Sequence, residues 1–313
     1  MTQPPPSPQL LEPWLRKVAG FEHARVTAIT PLDGGASNIT CRVSLSGGPQ
    51  ESVVLRVQRD RGIFEPYDVI REGEVLRRLR RSLVPVPALL ACEPDPAVLG
   101  APFILMEWVD APHMGVAGPA ASYPAFTAAV ASIHAVPWRP LGLDFLGVPE
   151  SAGTALGGEL DLIYARKQKF VGSSVPLLDK AHGLLRRTIP TDGALDFCQG
   201  DINVFNYLFR DGQVVAVVDW EQARISDRRS DVGQLVALSH LKGAPFGPAA
   251  STPFVQMYEA TAGLSLPNMA WFRARWLWEL GVIYHGWRSF NGSDPWYTWD
   301  DLERLLTASL AEL

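Results

Sequence analysis

Cys198-Gln199-Gly200-Asp201-Ile202-Asn203-Val204-Phe205-Asn206, continuing as YLFRDGQVVAVVDWE to Glu221, is the most informative stretch of the chain. Asp211-Gly212 sits between two alternating apolar runs, a strong signal for a two-residue hairpin turn. If those two residues make the turn, Asn206 faces Val217, and Asp219 shares the face of Asn206. Diagonal neighbours on one face lie roughly 7–8 Å apart. An amide oxygen and a carboxylate at that separation can converge on one hard cation of the Mg²⁺ kind. Asp201 falls in the loop leading into the hairpin, where a carboxylate can approach a substrate hydroxyl. Three polar residues flanking a surface hairpin would be unremarkable singly; the D-x4-N-x12-D spacing sets them apart.

Outward from this stretch, the N-terminal part reads as strands: VTAITPL from Val26, ITCRVSL from Ile39 and ESVVLRV from Glu51. Asp33-Gly34-Gly35 and Gly47-Gly48 break them with residues that accept positive φ. A helix is expected over about Tyr67–Ser82, with Val69, Leu76 and Leu79 on one stripe and Pro85 and Pro87 beyond it. Glu72 lies on that stripe, where a carboxylate is costly unless paired. Arg56, in Val53-Val54-Leu55-Arg56-Val57, is the candidate partner. Phe103–Met106 reads as a short buried strand. The first dozen residues are proline-rich and read as a loose arm, and Asp110–Pro119 reads as a joint. Beyond the joint, helical patterns prevail. The expected division is residues 1–24 as an arm and leading helix, 25–110 as a small β-rich region, and 111–313 as a larger helical one.

The 313 residues include 28 Lys and Arg against 33 Asp and Glu, a net charge of −5. No basic domain points to nucleic acid, and no apolar run approaches the ~20 residues that span a bilayer. Three cysteines without CxxC spacing fit a reducing, cytoplasmic setting. MTQPPPSPQLLEPW lacks the basic and apolar regions of a secretory signal. There is no GxxxxGK[ST], HExxH or GxSxG.

The 198–221 stretch resembles the catalytic and metal-binding core of the aminoglycoside phosphotransferase family, within the protein-kinase-like superfamily, whose pattern is His-Gly-Asp-x4-Asn and then Ile-Asp-Trp-Glu. The resemblance implies an α+β, two-lobed protein-kinase-like fold, with a small antiparallel β-rich N-lobe and a larger, mainly helical C-lobe. It implies Asp201 as catalytic base, Asn206 and Asp219 as Mg²⁺ ligands, and Asp231 as a brace of the catalytic loop. Arg56 and Glu72 resemble the pair that positions the nucleotide phosphates. Ser37, in Asp33–Asn38, belongs to the loop over the phosphates, and the Glu107 carbonyl and Val109 N–H to the hinge that meets the base. Two residues depart from the pattern: Gln199 stands where His is usual, and Arg56 where Lys is common. Gln199 can still support the loop, since it donates and accepts hydrogen bonds.

The implied activity is Mg²⁺-dependent transfer of the γ-phosphoryl group of ATP or GTP to a hydroxyl of a small molecule. The alternatives are a catalytically silent kinase-like protein, nucleotide-binding or scaffold, and a Mg²⁺-independent module that binds an apolar ligand. Six of the ten tryptophans lie between Trp271 and Trp299, which reads either as helix packing or as the wall of an acceptor pocket. Acids are sparse there, which argues against a polycationic aminoglycoside as acceptor.

Overall fold

The computed structural model describes residues 5–32, 37–113, 119–172, 175–244 and 248–313, without the side chains of 119–122 and 248–252. Asp33-Gly34-Gly35-Ala36 of the expected phosphate loop, and 114–118 of the expected joint, lie outside the described residues. The chain divides into two units: Met1–Asp110 with Val218–Glu221, and Ala111–Val217 with Gln222–Leu313.

The first unit is an antiparallel sheet with a helix on each face. Its strands are β1 (Arg25–Pro31), β2 (Ile39–Ser46), β3 (Ser52–Val57), β4 (Leu89–Glu93) and β5 (Phe103–Glu107), in the order β1-β2-β3-β5-β4. The leading helix expected within residues 1–24 is α1 (Pro8–Leu15), which begins inside the first dozen residues read as a loose arm. Pro8 stands in the first turn, where a missing N–H costs nothing, and Ser7 caps the helix. Leu11 and Leu15 pack with Cys41, Leu55, Phe103 and Leu105 on one face of the sheet. Alternation along β3 then puts Arg56 on the other face, paired with Thr40 and Ile104. Helix α2 (Val69–Leu79), begun by an Asp68 cap, occupies that face. A Cβ on its Gly73 would come within 3.0 Å of Ile104 and of Cys92. The helix is shorter than the stretch read from its periodicity. The edge strand β4 was not legible as a strand: it follows a proline-rich turn and is only partly buried.

In the second unit, β6 (Asp196–Cys198) pairs with β9 (Arg224–Ser226), and β7 (Tyr207–Arg210) with β8 (Gln213–Val217). The helices are α3 (Pro119–His134), α4 (Ala152–Phe170), α5 (Pro176–Arg187), α6 (Arg228–Ser239), α7 (Pro248–Ala262), α8 (Met269–Asn291) and α9 (Trp299–Leu310). Helix α8 is apolar on most sides, as a buried helix must be, and it joins residues of α4, α5, α6 and α9 in one core. Three of its tryptophans pack there: Trp271 and Trp278 donate to the carbonyls of Leu185 and Leu178 at 3.2 and 3.0 Å, and Trp276 donates to that of Ser230. Of the two readings of the tryptophan-rich end, packing holds for these three, whereas Trp296 is exposed. Among the described residues, no helix is long and apolar enough to cross a membrane.

Helices α6 and α8 meet at Gly233, where a Cβ would lie 2.7 Å from that of Phe272 and 3.0 Å from its backbone. Backbone cannot swing aside as a side-chain end can, so Gly233→Ala should cost about 1–3 kcal/mol by overpacking. Urea denaturation reads this directly; an unchanged midpoint would contradict the close packing.

Candidate functional site

In the first unit, one guanidinium meets three carboxylates. Arg56 lies 3.0 Å from Glu72, 2.8 Å from Asp219 and 2.9 Å from Glu221. The pairing expected for Arg56 and Glu72 is therefore present, and both side chains are buried. Glu72 also accepts the N–H of Trp220 at 3.3 Å. Arg71 donates to the Glu221 carbonyl at 3.0 Å. Together these bonds tie Val218–Glu221 to α2. Asp219 adopts a left-handed backbone, φ 62°.

Burial pushes the Glu72 carboxyl up; Arg56 draws it back, but Asp219 and Glu221 push it further, to about 8. Glu221 is raised for the same reasons, by burial first and then by Asp219. Burial alone would lower Arg56, yet its three partners hold it firmly protonated. Only with all three carboxylates ionised would the cluster carry a surplus of two negative charges; the raised Glu72 and Glu221 carboxyls oppose that state, and a divalent cation would favour it.

Ser37, expected to face phosphates, gives its hydroxyl to Glu221. Asn38 reinforces the same contact with its amide nitrogen at 2.9 Å and accepts the N–H of Arg59 at 3.2 Å. Glu107 ends β5, where its N–H and carboxylate bond to the carbonyl and N–H of Ala88 at 2.9 and 3.0 Å. Val109 follows two residues later, half-buried.

In the second unit, the loop after β6 carries Asp201. Asp231, in the first turn of α6 and inaccessible to water, accepts the N–H groups of Gln199 and Gly200 at 2.8 and 3.1 Å. His134 also meets Asp231, at 3.2 Å, and its other ring nitrogen lies 2.7 Å from the Tyr258 hydroxyl. Gln199, in the position of the usual His, accepts from the Tyr207 hydroxyl at 2.7 Å. Gly200 has φ 85°, and a Cβ there would meet the Gln222 carbonyl at 2.2 Å; only glycine fits. His134, Cys198 and Asp231 bring possible ligand atoms within 4.8 Å of one another. Burial pushes the Cys198 thiol well up, so the thiolate a metal requires is disfavoured.

The hairpin differs in register from the sequence reading. Tyr207, not Asn206, pairs with Val217, because the register shifts between Leu208 and Phe209. The outer side of β7 is taken by the preceding segment: Leu208 bridges to His113, and the N–H of Phe209 donates to the Pro112 carbonyl at 2.8 Å. Asn206 instead closes a 3₁₀ turn, Val204–Asn206. Its amide nitrogen bonds to the carboxylate and carbonyl of Asp201 at 2.9 and 3.1 Å. The nitrogen being committed, the amide oxygen is the atom suited to a cation. Gln234, which sequence reading missed, donates to Asp201 at 2.6 Å and accepts the N–H of Ile202 at 2.7 Å. Its position three residues after Asp231, hence on the same helical face, was the available signal.

Residues 28–277 match the phosphotransferase enzyme family, and the chain belongs to it. Its fold is the protein-kinase-like one of the aminoglycoside and macrolide phosphotransferases. A Ralstonia eutropha protein described as an aminoglycoside phosphotransferase superposes with TM-score 0.71 at 22% identity, over 97% of this chain and 96% of that one. Macrolide 2'-phosphotransferase type I gives 0.62 at 20%, over 100% and 99%. A thermostable mutant of aminoglycoside phosphotransferase APH(4)-Ia, in ternary complex with AMP-PNP and hygromycin B, gives 0.63 at 16%, over 96% and 98%.

Among curated proteins, the chain is 25% identical over 234 residues to acyl-CoA dehydrogenase family member 10 of Mus musculus, covering 71% of this chain and 21% of that protein. It is 26% identical over 230 residues to family member 11 of Rattus norvegicus, covering 69% and 28%. The chain thus spans between a fifth and a third of the length of these relatives.

Behind the loop, Glu159 accepts from Arg224 and Arg275 at 2.9 and 2.8 Å and from Ser226 and Ser230. Burial raises its carboxyl, but Arg224 and Arg275 outweigh burial and bring it down to about 2. A folded pKa below the unfolded one gives stability that is complete above about pH 4.5 and is lost as pH falls through about 2. The contribution is about 3 kcal/mol, at ~1.36 kcal/mol per unit. Acid denaturation of Glu159→Gln, set against the parent, should lack this loss between pH 4.5 and 2. An identical pH dependence in the two proteins would contradict it.

Proposed function

We propose that the chain transfers the γ-phosphoryl group of ATP or GTP to a hydroxyl of a small molecule, with Mg²⁺. The observation that carries this reading is Asp201 itself, a loop carboxylate bonded through both oxygens, on backbone braced by Asp231. In this reading the acceptor oxygen forms its bond to the γ-phosphorus as the bond to the β–γ bridging oxygen breaks. The acceptor proton passes to Asp201, and the nucleoside diphosphate leaves. Such a reaction asks the protein mainly for positioning and charge neutralisation.

Arg56, oriented by Glu72, would hold the α- and β-phosphates, with Ser37 and its loop above them. The Glu107 carbonyl and Val109 N–H would meet the base. Asp219 and the amide oxygen of Asn206 would hold Mg²⁺. The gathering of three carboxylates on the one Arg56 guanidinium supports this assignment. When bound, Mg²⁺ supplies positive charge to the phosphate oxygens. Gln199 and Asp231 would keep the loop in shape.

The acceptor is proposed not to be polycationic. Three of the acids near the C-terminal end already have arginine partners: Glu279 with Arg275 at 2.8 Å, Asp294 with Arg288 at 3.0 Å and Asp301 with Arg304 at 2.7 Å. The rival reading, a silent scaffold that keeps the fold, would need neither Asp201 nor Mg²⁺. A cytoplasmic setting is part of the proposal.

A thermal-shift titration with ATP and GTP, each with and without Mg²⁺, tests the nucleotide site. At about 100 times Kd the nucleotide should add roughly 2.7 kcal/mol of stability. The shift should depend on Mg²⁺, vanish in Asp219→Ala and persist in Asp201→Ala. No shift at millimolar nucleotide would overturn the proposal in favour of a scaffold.

A further inference from the structure

Asp231 and Gln234 lie three residues apart on α6 and point at the same loop. Asp231 takes the N–H groups on the N-terminal side of Asp201, those of Gln199 and Gly200. Gln234 takes the N–H on the C-terminal side, that of Ile202, and also reaches the Asp201 carboxylate. The orientation of the Gln234 amide follows from this network. A backbone N–H can only donate, so Oε1 faces Ile202 and Nε2 must face Asp201. Gln234 is 5% exposed, in a helix packed tightly against Phe272, so its position is set by the core and not by solvent.

We infer that Gln234 is a positioning residue for the proposed base: it fixes the rotation of the Asp201 carboxylate by donating to Oδ1 while Asn206 donates to Oδ2. The inference rests on the assignment of Asp201 made above. A loop aspartate with one such bond could still rotate about its Cβ–Cγ axis; two amide donors, one to each oxygen, remove that freedom. A carboxylate oxygen has two lone pairs, so each bond is compatible with acceptance of a proton from an acceptor hydroxyl. Misplacement by about 1 Å can cost on the order of 100-fold in rate. The backbone bond to Ile202 and the side-chain bond to Asp201 use different atoms of Gln234, so the structural and positioning roles can be separated.

Gln234→Glu makes that separation. It keeps an acceptor for Ile202 but turns the atom facing Asp201 from a donor into a carboxylate oxygen. Gln234→Leu removes both contacts. The readout is Mg²⁺-dependent ATP hydrolysis by the full chain with water as acceptor, giving kcat and KM for ATP, together with the thermal midpoint. Gln234→Glu should lower the midpoint, because it buries a second carboxylate against Asp201. Well below that midpoint, where the chain is folded, it should still lower kcat by about 30-fold or more, within the range for misplaced groups, with KM changed less than about twofold. Wild-type kcat in Gln234→Glu would overturn the inference. So would losses of kcat that merely follow a collapsed midpoint in both variants, which would make Gln234 a folding residue only. Asp201→Asn is the control: full hydrolysis there defeats the assignment of Asp201 as base, and with it the clamp. Loss in Asp201→Asn alongside normal Gln234→Glu defeats the clamp alone. A wild-type chain without Mg²⁺-dependent hydrolysis defeats both.

Discussion

The second unit is organised around a carboxylate shut away from water. Burying an isolated carboxylate is costly by several kcal/mol, and Asp231 offsets this by accepting from two consecutive backbone N–H groups, Gln199 and Gly200, with His134 alongside. Those two N–H groups stand immediately before Asp201. The same bonds that make the burial tolerable therefore dictate the path of the loop. Gly200 must be glycine because that path brings it against the Gln222 carbonyl in a left-handed conformation. His134 is held in turn by Tyr258, so the brace runs from α3 and α7 through Asp231 to the loop.

The first unit solves a different problem with similar means. Strand alternation sends Leu55 to the α1 face and Arg56 to the α2 face. A buried arginine requires an anion, and α2 presents Glu72 at the matching point of its stripe. The return of Asp219 and Glu221 to the same guanidinium overfills it. A cluster with more carboxylates than cations is poor at stabilising a fold, and the raised Glu72 and Glu221 carboxyls record that strain. It is a reasonable arrangement for a place where more positive charge is to arrive.

Much of this was legible in the sequence because it depended on local pattern. β-Branched and apolar runs between turn residues marked β1, β2 and β3, a short continuous apolar run marked β5, and the apolar stripe of α2 made Glu72 anomalous enough to demand Arg56 as a partner. Signals failed where neighbours remote in sequence decide the outcome. Pro112 and His113 bond to the other side of β7 where its register against β8 shifts, and no turn rule contains them. The edge strand β4 has too little burial to show alternation, and although a leading helix was expected within residues 1–24, its start was hidden by prolines that its first turn tolerates. Gln234 carries no pattern of its own: a glutamine in a helix is ordinary until the loop folds back onto it. The tryptophans were ambiguous because buried packing and a ligand wall favour the same side chain.

The central claim, that Asp201 receives a proton as a phosphoryl group moves to an alcohol, is tested most directly by ³¹P NMR of the chain incubated with ATP, Mg²⁺ and a panel of hydroxylated small molecules. The phosphotransferase reading predicts a new phosphomonoester resonance growing in step with ADP for at least one alcohol, and its absence with Asp201→Ala. An ATP spectrum that stays unchanged with every alcohol, or a phosphomonoester that forms equally well with Asp201→Ala, would contradict it.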